Sequence, residues 1–194
     1  MLSYEESLKI LKETNALLDG HFILSSGLHS AQYIQCAQLL SKPHMSAEFC
    51  KSLAEKISKE FKEIDLILSP AMGGVVIGYE IGRLLKKETI FSERVEGQFK
   101  LRRDFQIAKK SKVLIVEDVI TTGKSSIECS KLVEIAGAEV LGFACLIDRS
   151  NRNSLINKKI VSQVEINIPT YSENNLPNNL ISLTPIKPGS RELK

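Results

Sequence analysis

The hydrophobic positions of the chain follow two periods. From Ser3 to about Leu18, Leu8, Leu11, Ala16 and Leu18 fall roughly on one helical face, which predicts an amphipathic helix. Ser3 followed by Glu6 has the form of a capping box at its start. Gly20 to Gly27 and then Tyr33 to Cys36 read as two extended pieces around a turn, a small hairpin-like flap. Pro43 opens a helix that runs to about Phe61. Beyond it, short apolar runs alternate with helical stretches. Asp65–Ser69, Thr89–Ser92, Val113–Val116 and Val140–Ile147 read as strands, and Gly74–Leu85 and Gly123–Ala136 as helices. The tail, with Asn174, Asn175, Pro177, Asn178 and Asn179, reads as irregular.

Strands alternating with helices predict an α/β fold, a mostly parallel sheet covered on both faces. Ligands of such sheets bind beyond the carboxyl ends of the strands, so the residues just after each strand carry the functional information. At 194 residues the chain suits one domain, 1–194, with a hood from about residues 1–40 and a C-terminal segment. A net charge of +3 is too mild to argue for nucleic-acid binding. Cys36, Cys50, Cys129 and Cys145 are widely spaced, which suggests reduced thiols and no zinc site or disulfide framework. Acidic residues at the start (Glu5, Glu6) and the lack of a long apolar run predict a soluble, cytoplasmic protein with no membrane partner.

The chemistry concentrates after the third predicted strand, in Glu117-Asp118-Val119-Ile120-Thr121-Thr122-Gly123-Lys124-Ser125-Ser126. The strand delivers two adjacent carboxylates, and a loop of hydroxyls and glycine then opens a helix. Backbone amides at a helix N-terminus cradle phosphate, and carboxylates beside them suit a Mg²⁺-bound or hydroxyl-rich substrate; a sugar phosphate meets both demands. A Walker A loop would need glycine where Asp118 stands, and no G-x-G-x-x-G or G-x-S-x-G occurs.

This strand-acid-acid-loop segment resembles the PRPP-binding motif of the type I phosphoribosyltransferases (PRPP is 5-phosphoribosyl 1-diphosphate). In the form Glu-Asp-Val-Ile-Thr-Thr-Gly it is most similar to the orotate-using members, and within them to a short subgroup. The resemblance implies that Thr121, Thr122, Gly123, Lys124 and Ser125 hold the 5-phosphate, with Val119 and Ile120 lining the same segment. It implies that Glu117 and Asp118 face the ribose and favour the cationic transition state at C1. Ser69-Pro70-Ala71-Met72-Gly73-Gly74 is similar to the family's diphosphate loop, with Ala71, Met72 and Gly73 touching PRPP; related enzymes often have lysine where Gly73 stands. Gly74, Gly78 and Gly82 also suit a closely packed helix.

Glu93 to Asp104 reads by itself as a solvated basic loop, whereas the family places here a mobile loop that closes over the diphosphate. Arg94 is the matching arginine and Lys100 a second candidate, with Arg102 and Arg103 unassigned. Phe22 to Ser30 with Tyr33 is similar to a hood over orotate, which implies base contacts from Phe22 and Ser25 and from Thr121. Arg149, after the last core strand, is implied as the partner of the orotate carboxylate. His21 and His29 read as turn residues. The family further implies Mg²⁺ carried mainly by the substrate, no protein metal site, and a homodimer. Two rivals stay open: a related enzyme using a purine or uracil, and a regulator on the same fold that binds nucleic acid.

Overall fold

The computed structural model describes residues 1–24, 26–151 and 153–188. Ser25 and the tail from Gly189, including Ser190 and Arg191, lie outside the described residues.

Helix α1 (Tyr4–Glu13) begins at the capping box that Ser3 and Glu6 announce: the Ser3 hydroxyl accepts the Glu6 N–H at 3.1 Å, and the Glu6 carboxylate accepts the Ser3 N–H at 2.7 Å. The helix stops short of Leu18. Asn15 turns left-handed (φ 59°), and Ala16 N–H bonds back to the Leu11 carbonyl, which closes the last turn. Leu17 and Leu18 therefore start strand β1 (Leu17–Ile23), which pairs antiparallel with β2 (His29–Ile34). Cys36 does not extend β2; it begins a short helix, α2 (Cys36–Leu40), before α3 (Pro43–Glu60).

The α/β part then runs β3 (Leu66–Pro70), α4 (Gly73–Leu85), β4 (Glu88–Val95), β5 (Gln98–Leu101), β6 (Lys112–Ile120), α5 (Lys124–Ile135), β7 (Glu139–Asp148) and β8 (Ile160–Glu165). These strands form one sheet in the order β5-β4-β3-β6-β7-β8, parallel throughout except for the β4–β5 pair. The expected mostly parallel sheet with flanking helices is present. The segment from Glu93 to Asp104 is not a plain loop: β4 continues into a hairpin through Glu96 and Gly97, both at positive φ (51° and 80°). Two positive-φ residues between paired strands match the right-handed twist of the ribbon, which is why Glu-Gly turns the chain here. The tail also holds short elements, β9 (Thr170–Tyr171) beside β2 and α6 (Asn178–Ile181), so it is not wholly irregular.

Residues of β6 alternate between two cores. Leu114 and Val116 pack with α3 and α4 (Phe49, Leu53, Ile77, Ile81), and Val113 and Ile115 pack with α5 (Cys129, Val133). A side chain's face is thus set by its parity along the strand. Gly78 and Gly82 lie where α4 meets the sheet: an added Cβ would stand 2.1 Å from Ser69 Oγ at Gly78 and 1.8 Å from Thr89 Oγ1 at Gly82. The four-residue glycine spacing accordingly serves packing. All four cysteines are buried free thiols. Among the described residues, no helix is long and apolar enough to cross a membrane.

Candidate active site at the carboxyl edge of the sheet

The alternation along β6 separates its two acids. Glu117 points to the α5 side, where the Ser126 hydroxyl donates to its Oε1 at 2.7 Å; the residue is only 8% exposed. Burial raises its pKa to about 7; Ser126's hydrogen bond works against the shift, and the neighbouring Asp118 charge adds to it. Asp118 points to the α4 side. Its carboxyl is also raised by burial, against which the Val119 N–H, bonded to Oδ1 at 2.9 Å, pulls it down.

The segment after β6 is shaped by its neighbours. Gly123 takes φ 77° at the N-cap of α5, and a Cβ there would press on Ser154 Oγ at 2.7 Å and on Ile156. Leu155 N–H donates to the Thr122 carbonyl at 2.9 Å, so the chain from 153 to 156 props the loop from outside. Thr121, Thr122 and Lys124 are exposed, Ser125 is half-buried, and the N-cap glycine offers no side chain, the Thr122 hydroxyl alone accepting the Lys124 N–H at a long 3.4 Å among the described contacts. Ile120 is instead a core residue, and Val119 is partly packed against the α3–α4 core.

Ala71, Met72 and Gly73 form the turn from β3 into α4, where the Ala71–Met72 peptide is cis. A Cβ on Gly73 would lie 2.7 Å from Asp118 Oδ2, which brings this turn directly against the β6 carboxylate. Met72 projects outward and is 81% exposed.

Arg94 sits on the β4–β5 hairpin with its guanidinium 4.2 Å above the Phe99 ring, donating to the Gly97 carbonyl and, at 2.7 Å, to Glu128 on α5. The pair ties the hairpin to the helix that follows the Thr-Gly loop. Lys100, by contrast, is exposed and pairs with Glu96 at 3.6 Å, and Arg102 and Arg103 both pair with Glu93. The described contacts do not bring Lys100 to the loop of Thr121 to Ser125.

Arg149 follows β7, its N–H bonded to the Ile120 carbonyl at 2.8 Å. Its Nε is enclosed and has no hydrogen-bond partner, and no carboxylate pairs with it among the described residues. Burial lowers its pKa, opposed by the nearby Cys36 thiol and Tyr33 hydroxyl. The residues beside it thus come from β2 and α2. Phe22 is buried and stacks at 5.6 Å on Tyr33, so it lies in the same hood. His21 and His29 are strand residues, not turn residues. They are buried and joined by a 2.7 Å bond from ring to ring, with His21 Nδ1 on the Leu183 carbonyl.

The fold therefore gathers Asp118, Gly73 and the loop after β6 at one edge, with Arg94 and Arg149 on its two sides. Sequence reasoning missed Ser126, Glu128 and Cys36. Glu128 and Cys36 act through partners far along the chain, Arg94 and the Asp118 carbonyl, and Ser126 reaches Glu117 only because α5 packs back on β6. Among the described residues, no three His, Cys, Asp or Glu side chains are grouped to hold a metal.

Residues 36–177 match the model of the phosphoribosyl transferase domain. The orotate phosphoribosyltransferase of Parvibaculum lavamentivorans is 45% identical over 99% of this chain and 100% of its own, and that of Sphingopyxis alaskensis is 47% identical over 97% of each. Among solved structures, orotate phosphoribosyltransferase from Aeropyrum pernix superposes with a TM-score of 0.71 at 24% identity, covering 81% of this chain and 92% of the other, which supports the fold.

Proposed function

The chain belongs to the orotate phosphoribosyltransferases, and from that premise we propose how its carboxyl-edge cleft joins orotate to the ribose 5-phosphate of PRPP. The activity is a pentosyl transfer of pyrimidine biosynthesis, giving orotidine 5-phosphate and diphosphate. A bond forms between N1 of orotate and C1 of the ribose, and the bond from C1 to the diphosphate oxygen breaks.

In this reading the amides and hydroxyls of Thr121 to Ser125 hold the 5-phosphate at the start of α5, whose N-cap is a glycine. Asp118 and Glu117 accept hydrogen bonds from the ribose hydroxyls, and their negative charge favours the positive charge that develops at C1. The Ala71–Gly73 backbone and Arg94 meet the diphosphate, Arg94 exchanging Glu128 for the leaving group; Lys100 would have to leave Glu96 to join it. Phe22, Thr121 and Ser25 would contact the base. PRPP would enter as its Mg²⁺ complex, the ion being held mainly by the substrate and offsetting diphosphate charge.

The observation that carries the choice of orotate is Arg149. Arg149 is half-buried, its Nε enclosed without a hydrogen-bond partner, and a substrate carboxylate would supply the missing anion in two-pronged geometry. We further propose that the whole chain acts as one domain and forms a homodimer, for which exposed Val76 and Tyr79 on α4, with Met72 at its N-cap, offer an apolar surface. The buried free thiols suit a cytoplasmic enzyme.

The test is the loss of orotate's ultraviolet absorbance with PRPP and Mg²⁺, with Arg149→Ala and Asp118→Asn alongside. Mg²⁺-dependent turnover that collapses in both variants supports the reading. Diphosphate release with a purine or uracil and none with orotate would overturn the choice of base.

A further inference from the structure

Ser126 is a buried polar residue on the inner face of α5, in line with Cys129, Ser130 and Val133. Such a position favours alanine, because a hydroxyl taken from water must find a partner. Ser126 is fully buried, and its hydroxyl does not turn back to its own helix; it crosses to β6 and meets Glu117 Oε1 at 2.7 Å. No other protein donor to the Glu117 side chain is present among the described residues, and Oε2 is not among the fully enclosed unpartnered atoms, so it is left available to a ligand. The remaining titratable neighbours of Glu117 are Asp118 on β6, the Cys129 thiol on α5 and the Cys145 thiol on β7. None of these supplies a positive charge.

The loop of Thr121 to Ser125 lies between these two residues in sequence, so the bond closes a ring around the loop. We propose that Ser126 is a positioning residue: its hydroxyl locks one oxygen of Glu117, presents the other to the ribose, and couples that carboxylate to the state of the phosphate loop. The proposal rests on the reading that Glu117 faces the ribose of PRPP. Through this bond, seating the 5-phosphate at the start of α5 sets the rotamer of the acid on β6. The hydroxyl also favours the ionised carboxylate, the form that accepts ribose hydroxyls.

The experiment compares wild type, Ser126→Ala, Ser126→Thr and Ser126→Cys by kcat, by KM for each substrate, and by the pH profile of kcat/KM for PRPP. Loss of a hydrogen bond to a charged group predicts that Ser126→Ala loses about ten-fold or more in kcat/KM for PRPP, with KM for orotate nearly unchanged. Its acid limb is expected at higher pH, Ser126→Thr recovers both properties, and Ser126→Cys, a weaker donor of similar size, falls between. In a Glu117→Gln background, Ser126→Ala is expected to leave the pH profile as it is. An unaltered PRPP profile in Ser126→Ala overturns the proposal, as does an equal loss for both substrates with a lowered melting temperature. If Ser126→Ala does not fold, Ser126→Cys decides by the same readings. Absence of orotate turnover in wild type would count against the parent reading alone. PRPP affinity by calorimetry, with no base present, would then still measure the effect of Ser126→Ala.

Discussion

Glu117→Gln should make the protein more stable and less active, and the gain should depend on pH. The Glu117 carboxyl titrates at about 7 in the folded chain, against an ordinary value of 4.5. It therefore binds its proton more tightly folded than unfolded. That contribution to stability is fully present below pH 4.5 and is lost as pH rises through about 7. A difference of about 2.5 units at about 1.4 kcal/mol each gives on the order of 3 kcal/mol between the two limits. Glutamine keeps an acceptor for Ser126 and carries no charge, so it escapes the loss. At pH 8 the variant should be more stable by up to about 3 kcal/mol, or roughly 6–12 °C in Tm for a chain of this size. At pH 4 the two proteins should melt together. The assay is thermal unfolding from pH 4 to 9 without PRPP, since a bound substrate would add its own stabilisation. A variant no more stable than wild type at pH 8, or a gap that persists unchanged at pH 4, would refute the view that Glu117 is held against its desolvation cost.

Arg149→Met should raise KM for orotate roughly 30-fold or more, because a buried charge pair loses one member, yet leave the substrate-free melting temperature no lower; titration of orotate and a thermal melt check the two halves. Gly78→Ala places a methyl group against Ser69 Oγ at the α4–sheet contact and should cost about 1–3 kcal/mol in denaturant unfolding, whereas Gly97→Ala, whose Cβ would meet open space, is destabilised only by the backbone strain of a side chain at φ 80°, about 1 kcal/mol. Ser3→Ala removes the capping box of α1 and should cost about 1 kcal/mol by the same measurement, with kcat unaffected. Arg94→Ala should raise KM for PRPP more than KM for orotate in steady-state kinetics, and equal effects on both would place Arg94 outside the diphosphate's reach.

Much of the α/β part was legible because its signals are local. Four apolar runs too short for helices, each ended by polar or glycine residues, mark β3, β4, β6 and β7, and the start of α1 is written in Ser3 and Glu6. The end of α1 was not, because Leu17 and Leu18 continue the apolar pattern although Asn15 has already turned the chain. The β4–β5 hairpin was hidden by its charge. Arg94, Lys100, Arg102 and Arg103 read as solvated, and each is matched by an acid: Glu128, Glu96 or Glu93. His21 and His29 looked like turn residues because two buried imidazoles satisfy each other across strands, a pairing that depends on the register of β1 against β2.

The residue order alone determined the acids, the loop and the helix start of the PRPP motif, since a strand that ends in carboxylates and a helix that starts in glycine and hydroxyls are consequences of neighbouring residues. Tertiary structure decided what each group does. The pleat of β6 sends Glu117 toward Ser126 and Asp118 toward Gly73, and the approach of Tyr33 and Cys36 leaves Arg149 half-buried, its Nε enclosed, without a carboxylate partner among the described residues. These outcomes hang on contacts between different elements of the fold, where burial sets the cost of a charge, and burial exists only once the chain has folded.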